Sequence, residues 1–398
     1  GRMKPVHSDI RGPLFVEAMK RQKQGIDILK LNTGNPATFG FGLPDSIKNA
    51  LMEHMQDGVG YCDFKGMPQA RQAICDYETS KGIKGITPDD VFIGNGVSEV
   101  VSFALTPLLN DGDEVLVPSP SYSLWGNSVY LEDGKPVFYT CDEQANWYPD
   151  IQDIRSKITD KTKAIVIINP NNPTGVLYPK EILLEIIQVA REFDLLIFAD
   201  EIYDRLVMDG KQHISLASLT EDVPVITLNG LSKSHCLCGY RCGWMVISGP
   251  RELTEDYRQG IIQLTSLRLC ANTMAQIVIP AALDDMETPA SMVRPGGRIY
   301  EQREATVREL EKIDGLSFVK NDAAFYVFPK LDVKKFNITN DKQFAHDLLD
   351  ATNILLVPGS GFDWKDPDHF RIVMLPQADI LSDAIRRMGT FLDGYKQK

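Results

Sequence analysis

The chain has 398 residues, of which 43% are hydrophobic and 24% are charged, with a formal net charge of −12 at pH 7. The length indicates roughly two to three domains, and the composition is typical of a globular protein. Because no basic stripe offsets the negative charge, we expect neither a nucleic-acid partner nor an anionic membrane partner.

The cysteines and the apolar runs bear on the compartment. Seven cysteines form an odd, scattered set, which is typical of reduced thiols and not of a disulfide framework. No apolar run is long enough to span a bilayer. We therefore expect a cytoplasmic protein.

Strand-like runs alternate with helix-like runs over the first part of the chain. The runs at 164–168 and 195–199 are apolar at every position, as in strands that are buried on both faces of a parallel sheet. Between them, apolar residues recur at helical spacing: Ile182, Leu183, Ile186, Ile187 and Ala190. Further strands are predicted at 91–94, 114–117 and 225–228, and a helix at 98–109. This alternation predicts an α/β fold with a large, doubly wound, mostly parallel sheet.

The pattern changes beyond Pro289. Residues 288–297 are rich in proline and glycine, and a long helix is predicted after them. Shorter strands are predicted at 324–328 and 370–374. We therefore expect a large domain at 50–288 and a smaller α+β domain, which combines 289–398 with an N-terminal arm at 1–49.

Polar residues follow the predicted strands where ligands of open α/β sheets bind, outside the carboxyl ends. Asp200 follows one strand directly, Asn172 follows another, and Lys233 lies just beyond a third. Residues 96–98 lie between a strand and a helix, so their backbone N–H groups could hold a phosphate at the helix N-terminus. We expect these groups to converge at one edge of the sheet.

Each of these residues also has a simpler interpretation. A single lysine such as Lys233 is usually solvated, and an aspartate that ends a strand, such as Asp200, often caps a turn. Arg241 could hold a carboxylate within the fold, and residues 172–175 could form only a turn. The combination favours chemistry, since an amine, a carboxylate and a phosphate-binding arginine are what a protein needs to hold pyridoxal phosphate (PLP).

A dinucleotide-binding enzyme is an alternative from another class. Gly94 and Gly96 match the start of a dinucleotide fingerprint, but Glu99 occupies the third glycine position. An NAD-dependent dehydrogenase would also leave Lys233 and Arg241 without a role. A metal site is not expected, because the spacing of the nearby cysteines fits no common zinc motif: Cys236, Cys238 and Cys242.

Three segments resemble the motifs of the class I/II aminotransferases, which are PLP enzymes of fold type I, and the similarity covers nearly the whole chain. They are Asn172-Pro173-Thr174-Gly175, Asp200-Glu201-Ile202-Tyr203, and Ser232-Lys233 followed by Gly239-Tyr240-Arg241-Cys242-Gly243-Trp244. Four more segments are similar to the bacterial alanine aminotransferase subgroup: Asp9-Ile10-Arg11-Gly12-Pro13, Leu31-Asn32-Thr33-Gly34-Asn35-Pro36, Gly60-Tyr61-Cys62-Asp63 and Arg268-Leu269-Cys270-Ala271-Asn272.

The resemblance implies a role for each matching residue toward the cofactor. Lys233 would bind the cofactor covalently and then act as the general base, while Asp200 would pair with the pyridinium nitrogen. The phenolic oxygen would accept hydrogen bonds from Asn172 and Tyr203, and Tyr122 would stack on the ring. The phosphate would be bound by Val97, Ser98, Ser232 and Arg241. Tyr61 would reach the phosphate in the neighbouring subunit of a homodimer.

For the substrate, the resemblance implies that Arg371 binds the α-carboxylate, helped by the backbone of Gly34 and by Asn172. The implied reaction is a ping-pong transfer of the amino group of L-alanine to 2-oxoglutarate. The same pocket must then accept a methyl group and a γ-carboxylate, and we expect Arg11 to bind the latter unless it forms a structural ion pair. Arg268 and Arg298 are the next candidates. Transfer from an aspartate, aromatic or branched amino acid, and C–S bond cleavage, are alternatives that use the same core residues.

Overall fold

A computed structural model describes residues 1–398. The strands are β1 (Leu29–Lys30), β2 (Val91–Asn95), β3 (Glu114–Ser119), β4 (Lys135–Asp142), β5 (Tyr148–Pro149), β6 (Thr162–Ile168), β7 (Leu196–Asp200), β8 (Val225–Gly230), β9 (Cys242–Ser248), β10 (Leu316–Ser317), β11 (Tyr326–Val327), β12 (Lys330–Leu331), β13 (Ile354–Leu355), β14 (Val357–Pro358) and β15 (Phe370–Val373).

The α-helices surround these strands. They are α1 (Pro13–Lys23), α2 (Asp45–His54), α3 (Pro68–Ser80), α4 (Val97–Leu105), α5 (Leu124–Leu131), α6 (Ile151–Lys157), α7 (Lys180–Glu192), α8 (Arg251–Arg268), α9 (Thr273–Ile277), α10 (Ile279–Asp284), α11 (Glu287–Val293), α12 (Arg298–Leu310), α13 (Val333–Phe336), α14 (Asp341–Thr352) and α15 (Ala378–Leu392). No single helix has the length and apolar composition to cross a membrane; α8 with α9–α10 meets that test only as a pair bent by 119°.

Eight strands form the main sheet, in the order β2-β9-β8-β7-β6-β3-β4-β5. The central strands from β8 to β4 pair in parallel, whereas β9 pairs antiparallel with both of its neighbours and β5 pairs antiparallel with β4. The prediction of a doubly wound, mostly parallel sheet is therefore confirmed.

Both faces of the main sheet are buried, and successive side chains of β6 show it. Ile165 and Ile167 pack into one hydrophobic cluster together with the apolar stripe of α7. Ala164, Val166 and Ile168 point the other way, into a second cluster that contains residues of α4, α5 and α8. Side chains alternate along a strand, so a continuous apolar run is what two covered faces require.

The strands of the smaller sheets come before and after the strands of the main sheet in the sequence. The antiparallel sheet β11-β15-β14 brings residues near the C-terminus together, and β1 pairs in parallel with β13. A third cluster of buried apolar residues joins these strands to α14 and α15. The N-terminal region therefore packs with the C-terminal region.

Three local predictions differ from the structure. The helix predicted at 98–109 ends at Leu105, because Pro107 has no backbone N–H with which to continue the helical hydrogen bonds. The strand predicted at 324–328 has only two paired residues, Tyr326–Val327. Most of the proline- and glycine-rich stretch at 288–297 lies within α11, where Pro289 occupies the first turn and does not break the helix.

Candidate active site

A cavity of about 880 Å³ opens at the carboxyl ends of the central strands. Its wall includes Ile168 at the end of β6 and Asp200 at the end of β7, while Lys233 comes from the loop after β8. The strand β15 contributes Arg371 from the opposite side. The cavity therefore lies where the sheet topology predicts a ligand.

All of the candidate site residues except Tyr61 line this cavity. They are Arg11, Gly34, Val97, Ser98, Tyr122, Asn172, Asp200, Tyr203, Ser232, Lys233, Arg241 and Arg371. Tyr61 lies elsewhere, with 83% of its surface exposed, and it lines no part of the cavity of its own chain. The structure thus assembles one set of groups and leaves one aromatic side chain on the surface.

Lys233 is partly buried, and its amine projects into the cavity. Nζ donates a hydrogen bond to the carbonyl oxygen of Gly34 over 2.8 Å, and it forms no ion pair. Burial, the largest influence, lowers the pKa of Lys233, but the nearby Tyr326 and Cys238 groups outweigh it and raise the pKa overall. The amine has one neutral partner in the chain, and no carboxylate holds it away from a ligand.

Asp200 is a buried carboxylate without a cation. Oδ2 accepts a hydrogen bond from the indole N–H of Trp125 over 3.0 Å, and Oδ1 lies 3.4 Å from the backbone nitrogen of Ile202. Burial raises the pKa of Asp200 to about 6, because these two bonds compensate only part of the lost hydration. A positively charged ligand group beside it would stabilise the ionised form.

The N-terminus of α4 faces the cavity with free backbone donors. The N–H groups of Val97 and Ser98 have no acceptor within the helix and none elsewhere in the chain. Gly96 precedes them with φ +83°, a conformation that favours glycine. A Cβ at Gly96 would overlap the guanidinium of Arg241. The absence of a side chain therefore lets this arginine approach the helix end.

Arg241 completes this end of the cavity. Its Nη1 donates to the carbonyl oxygen of Cys238 over 2.8 Å, and no carboxylate pairs with it. Ser232 also lines the cavity. A helix N-terminus with two free N–H groups, a hydroxyl and an unpaired guanidinium is an arrangement that suits a phosphate.

Arg371 is almost completely buried, with 1% exposure, and has no acidic partner. Its Nη1 donates to Asn172 Oδ1 over 2.8 Å and its Nη2 donates to the carbonyl oxygen of Asn32 over 2.5 Å, whereas Nε has no partner. The rings of Tyr326 and Phe362 each lie 4.6 Å from the guanidinium carbon. Burial lowers the pKa of Arg371. A buried cation with an unused donor favours an anionic ligand.

Two tyrosines connect the halves of the cavity. The hydroxyl groups of Tyr203 and Tyr326 lie 3.0 Å apart, and both side chains are buried. Burial raises the pKa of Tyr203 well above its usual value, so this phenol is a neutral hydrogen-bond donor. Tyr122 lies at the wall with 37% of its surface exposed, where its ring is free to contact a ligand.

Arg11 lies at the cavity wall on the single turn Asp9–Arg11. It forms no ion pair and no side-chain hydrogen bond, so the structural ion pair considered above is absent. The two alternative cations are engaged elsewhere: Arg268 pairs with Glu99 over 2.5 Å, and Arg298 donates to the backbone and stacks on Phe41. Neither lines the cavity.

The charges around the cavity are unbalanced. Four cationic side chains line it, Arg11, Lys233, Arg241 and Arg371, against the single carboxylate of Asp200. None of the four forms an ion pair within the chain. In a protein with a net charge of −12 this is a marked local excess of positive charge. It favours a ligand, or a pair of ligands, that carries several negative charges.

These groups match the charges and the reactive aldehyde of PLP. The unpaired N–H groups of α4 and Arg241 would hold its phosphate, and Asp200, at the other side, would face its ring nitrogen. Lys233 supplies the amine that reacts with its aldehyde. The residues therefore fit the cofactor, and Arg371 remains for a second anion.

No role at this site was predicted for three further residues. Trp125 donates to Asp200, Asn32 accepts from Arg371 through its backbone, and Tyr326 contacts both Tyr203 and Arg371. Their roles arise from contacts between segments that are far apart in the chain. Only the aromatic run at 324–328 could have drawn attention, as a strand that carries large side chains into the interior.

The three cysteines near Lys233 have different surroundings. Cys238 lines the cavity and its thiol lies 3.0 Å from the carbonyl oxygen of Ser232. Cys236 and Cys242 are buried, and burial raises the pKa of each thiol to about 12. No group of three or more His, Cys, Asp or Glu side chains in residues 1–398 is placed to hold a metal ion.

Comparison with known proteins agrees with this geometry. The aminotransferase class I and II family matches residues 26–385. A glutamate-pyruvate aminotransferase of Haemophilus influenzae is 50% identical over 396 residues, which cover 100% of this chain and 98% of that protein.

Two solved structures are similar over nearly their whole length. An aminotransferase from Escherichia coli has a TM-score of 0.98 and 47% identity, covering 100% of this chain and 98% of that one. An alanine aminotransferase from Pyrococcus furiosus has a TM-score of 0.93 and 41% identity, covering 98% of each chain.

Proposed function

Because this chain belongs to the class I and II aminotransferase family, we propose that it is a PLP-dependent alanine aminotransferase. It transfers the amino group of L-alanine to 2-oxoglutarate and produces pyruvate and L-glutamate. Relatives that share 50% and 41% of its residues carry the names glutamate-pyruvate and alanine aminotransferase. The observation that carries the proposal is the set of four unpaired cations around one carboxylate, which suits a phosphorylated cofactor and a substrate carboxylate together.

Bound PLP supplies an electron sink for the charge that develops on the substrate carbon when the α-proton leaves. The protein's part begins with orientation. Asp200 would stay ionised beside the ring nitrogen and keep it protonated, while Asn172 and Tyr203 would donate hydrogen bonds to the phenolic oxygen. Tyr122 would pack on the ring face. The N–H groups at the start of α4, with Ser232 and Arg241, would hold the phosphate.

Lys233 moves the proton. With the cofactor and a substrate bound, the amine of Lys233 would act as the general base that takes the proton from the substrate α-carbon and later delivers it. The carbonyl oxygen of Gly34, now 2.8 Å from Nζ, holds the amine at the cavity wall. The side chains of Tyr122 and Tyr326 line the same cavity.

The two carboxylates of glutamate require two cations. Arg371 binds the α-carboxylate of every substrate through its guanidinium, with Asn172 and the backbone of Gly34 beside it. Arg11 binds the γ-carboxylate of glutamate and of 2-oxoglutarate. Alanine has no second carboxylate, so the arginine on the arm takes no part in its recognition. One cavity can therefore accept substrates of two lengths.

A homodimer is part of the proposal, with Tyr61 reaching the phosphate in the partner subunit. Apolar side chains are exposed just before this tyrosine in the chain, at Met55 and Val59, and also at Leu269 and Met274. Mixing Tyr61→Ala protein with Lys233→Ala protein tests it. A mixed dimer contains one site with both an intact Lys233 and the other chain's Tyr61, so activity should reappear. Two impaired variants that stay impaired after subunit exchange would argue against a shared site.

We also propose the domain limits and the compartment. Residues 50–288 form the PLP-binding domain around the eight-stranded sheet, and residues 1–49 with 289–398 form the smaller domain with the N-terminal arm. The pairing of β1 with β13 supports the assignment of the N-terminal residues. All seven cysteines are free thiols, which supports the cytoplasm as the compartment.

An amino-donor screen tests the main proposal. The purified protein should absorb in the visible range as PLP enzymes do, and alanine should be the best donor to 2-oxoglutarate. Preference for aspartate, aromatic or branched donors would show another aminotransferase, and pyruvate release from cystathionine without an oxo-acid acceptor would show a C–S lyase. A protein that binds NAD and lacks the PLP spectrum would refute the proposal.

A further inference from the structure

The arm that carries Arg11 is anchored at His7. The ring Nε2 of His7 lies 2.9 Å from Asp363 Oδ1, and Nδ1 lies 3.4 Å from Asp9 Oδ2. Asn127 holds the backbone of His7: the His7 N–H donates to Asn127 Oδ1 over 3.1 Å, and Asn127 Nδ2 donates to the His7 carbonyl over 2.6 Å. The arm is therefore fixed at this residue through both its side chain and its main chain.

The chain from His7 to Arg11 is short and restrained. Asp9 pairs with Lys342 over 3.1 Å, and its carbonyl oxygen accepts from the N–H of Gly12 over 3.3 Å. The next carbonyl, that of Ile10, accepts from Asn32 Nδ2 over 2.9 Å. Because Arg11 has no side-chain partner of its own, the position of its guanidinium depends on this backbone.

Asp363, which pairs with His7, directly follows a residue that contacts Arg371. The ring of Phe362, which precedes Asp363, lies 4.6 Å from the guanidinium carbon of Arg371. Both residues are held to the large sheet: the Phe362 carbonyl accepts from the N–H of Ser121 over 2.9 Å, and the Asp363 carbonyl accepts from Ser119 Oγ over 2.7 Å. One fixed segment thus supports Arg371 and receives the arm.

We propose that His7 and Asp363 are positioning residues that set the separation between Arg11 and Arg371, and so select five-carbon dicarboxylic substrates. This inference rests on the proposed function, in which the two arginines bind the two ends of glutamate. Alanine contacts only Arg371, so its recognition does not depend on the anchor. A loosened arm leaves Arg11 mobile and reduces the preference for a substrate of one length.

The charges around His7 keep the anchor intact at neutral pH. Hydrogen bonds to Asp363 and then to Asp9 raise the pKa of His7 to about 9. Lys342, on α14, faces Asp9 and partly neutralises it. The ring is therefore an imidazolium ion held between two carboxylates, on an arm that ends at a cation of the cavity.

Single-turnover reactions of the holoenzyme test the anchor. His7→Ala and Asp363→Asn should each slow the glutamate half-reaction roughly five- to tenfold, as expected for the loss of a charged hydrogen bond, and the alanine half-reaction by no more than about twofold. Arg2→Ala is the matched control. Arg2 is on the same arm and forms an exposed ion pair of 3.3 Å with Asp133. Its removal should change neither half-reaction.

A double variant shows whether the anchor acts through Arg11. If it does, His7→Ala combined with Arg11→Ala should be no slower with glutamate than Arg11→Ala alone. Binding of non-reacting dicarboxylates adds a measurement that is independent of turnover. Glutarate should lose its advantage over succinate in His7→Ala and keep it in Arg2→Ala.

Hydrogen exchange gives a structural reading on the cofactor-free protein as well. Amides of residues 7–12 should lose protection in His7→Ala and in Asn127→Ala, while amides of β6 and β7 stay protected. Arg2→Ala should leave the exchange of residues 7–12 unchanged. The Asn127 variant replaces the Asp363 variant if the latter does not fold.

The possible results separate the inference from the proposed function. A wild-type protein that does not transaminate alanine with 2-oxoglutarate would overturn the function. Equal slowing of alanine and glutamate in His7→Ala, additive effects with Arg11→Ala, or unchanged exchange of the arm would each overturn the positioning role. Selective, non-additive slowing with a mobile arm would support it.

Discussion

Replacing Asp200 by asparagine should stabilise the cofactor-free protein at neutral pH while weakening its hold on PLP. Burial raises the pKa of Asp200 from 3.8 to about 6. Below the lower value both the folded and the unfolded chain carry the proton. As the pH rises, the unfolded chain releases it first, so the free energy of unfolding falls until the folded state also ionises near pH 6.

The size of this effect comes from the pKa difference. A shift of roughly two units, at about 1.36 kcal/mol for each unit, lowers the free energy of unfolding by about 3 kcal/mol above pH 7. Roughly 2 kcal/mol of that loss falls between pH 4.5 and pH 7.5. Asparagine keeps the oxygen that accepts from Trp125 but does not ionise. The stability of Asp200→Asn relative to wild type should therefore rise by this amount over the same range.

Urea unfolding of both proteins without cofactor, at pH 4.5 and at pH 7.5, measures this change. Asp160→Asn, at an exposed position before β6, serves as the control for the loss of one carboxylate. Titration with PLP at pH 7.5 should show the opposite ranking, because only an ionised carboxylate pairs with the ring nitrogen. A stability difference between Asp200→Asn and wild type that does not change with pH would refute the account of a buried, uncompensated charge.

Four further predictions concern the cavity and the arm. Lys233→Ala should lose transamination by several orders of magnitude and hold PLP only non-covalently; borohydride reduction that attaches PLP to a different lysine would contradict this. Arg371→Ala should weaken the apparent binding of alanine and of glutamate at least tenfold and leave the PLP spectrum intact. This loss corresponds to a charged contact of roughly 1.5–3 kcal/mol. Unchanged Michaelis constants would show that Arg371 has only a structural role. Arg11→Ala should slow only the glutamate half-reaction, by roughly 2–3 kcal/mol of transition-state binding, and equal losses for alanine would refute its role. The imidazole of His7 should titrate near pH 9 by NMR, and Asp363→Asn should move that pKa down toward 6.5, because it removes the first of the two negative charges; an unmoved pKa would show that the pair does not form in solution.

The central sheet could be predicted because its strands have one physical requirement. A strand covered on both faces must be apolar at every position, and the runs that became β6 and β7 stand out for that reason. Polar residues directly after such runs must lie at the carboxyl edge, which explains why Asp200 and Asn172 could be placed together. For these two residues, the sequence indicated both the chemical group and its position in the fold.

The antiparallel strand β9 was not predicted, although all of its residues are buried. It begins at Cys242, directly after Arg241. The glycine and arginine of this segment indicated a ligand site and did not indicate a strand. Its place between β2 and β8 depends on a reversal of chain direction that no local pattern reports. The contacts of Trp125 and Tyr326 have the same origin, since each pairs residues that are 75 or more positions apart.

The unpaired cations of the cavity have a consequence for the solvent around the protein. Without substrate, Arg371, Arg241 and Arg11 have no carboxylate within the chain, so small ions from the solution will gather beside them. Chloride, acetate or inorganic phosphate must then leave before a substrate carboxylate can enter. Apparent substrate affinities will fall as the concentration of such ions rises, and more steeply for glutamate than for alanine. Values measured in phosphate and in a zwitterionic buffer will differ even at the same pH.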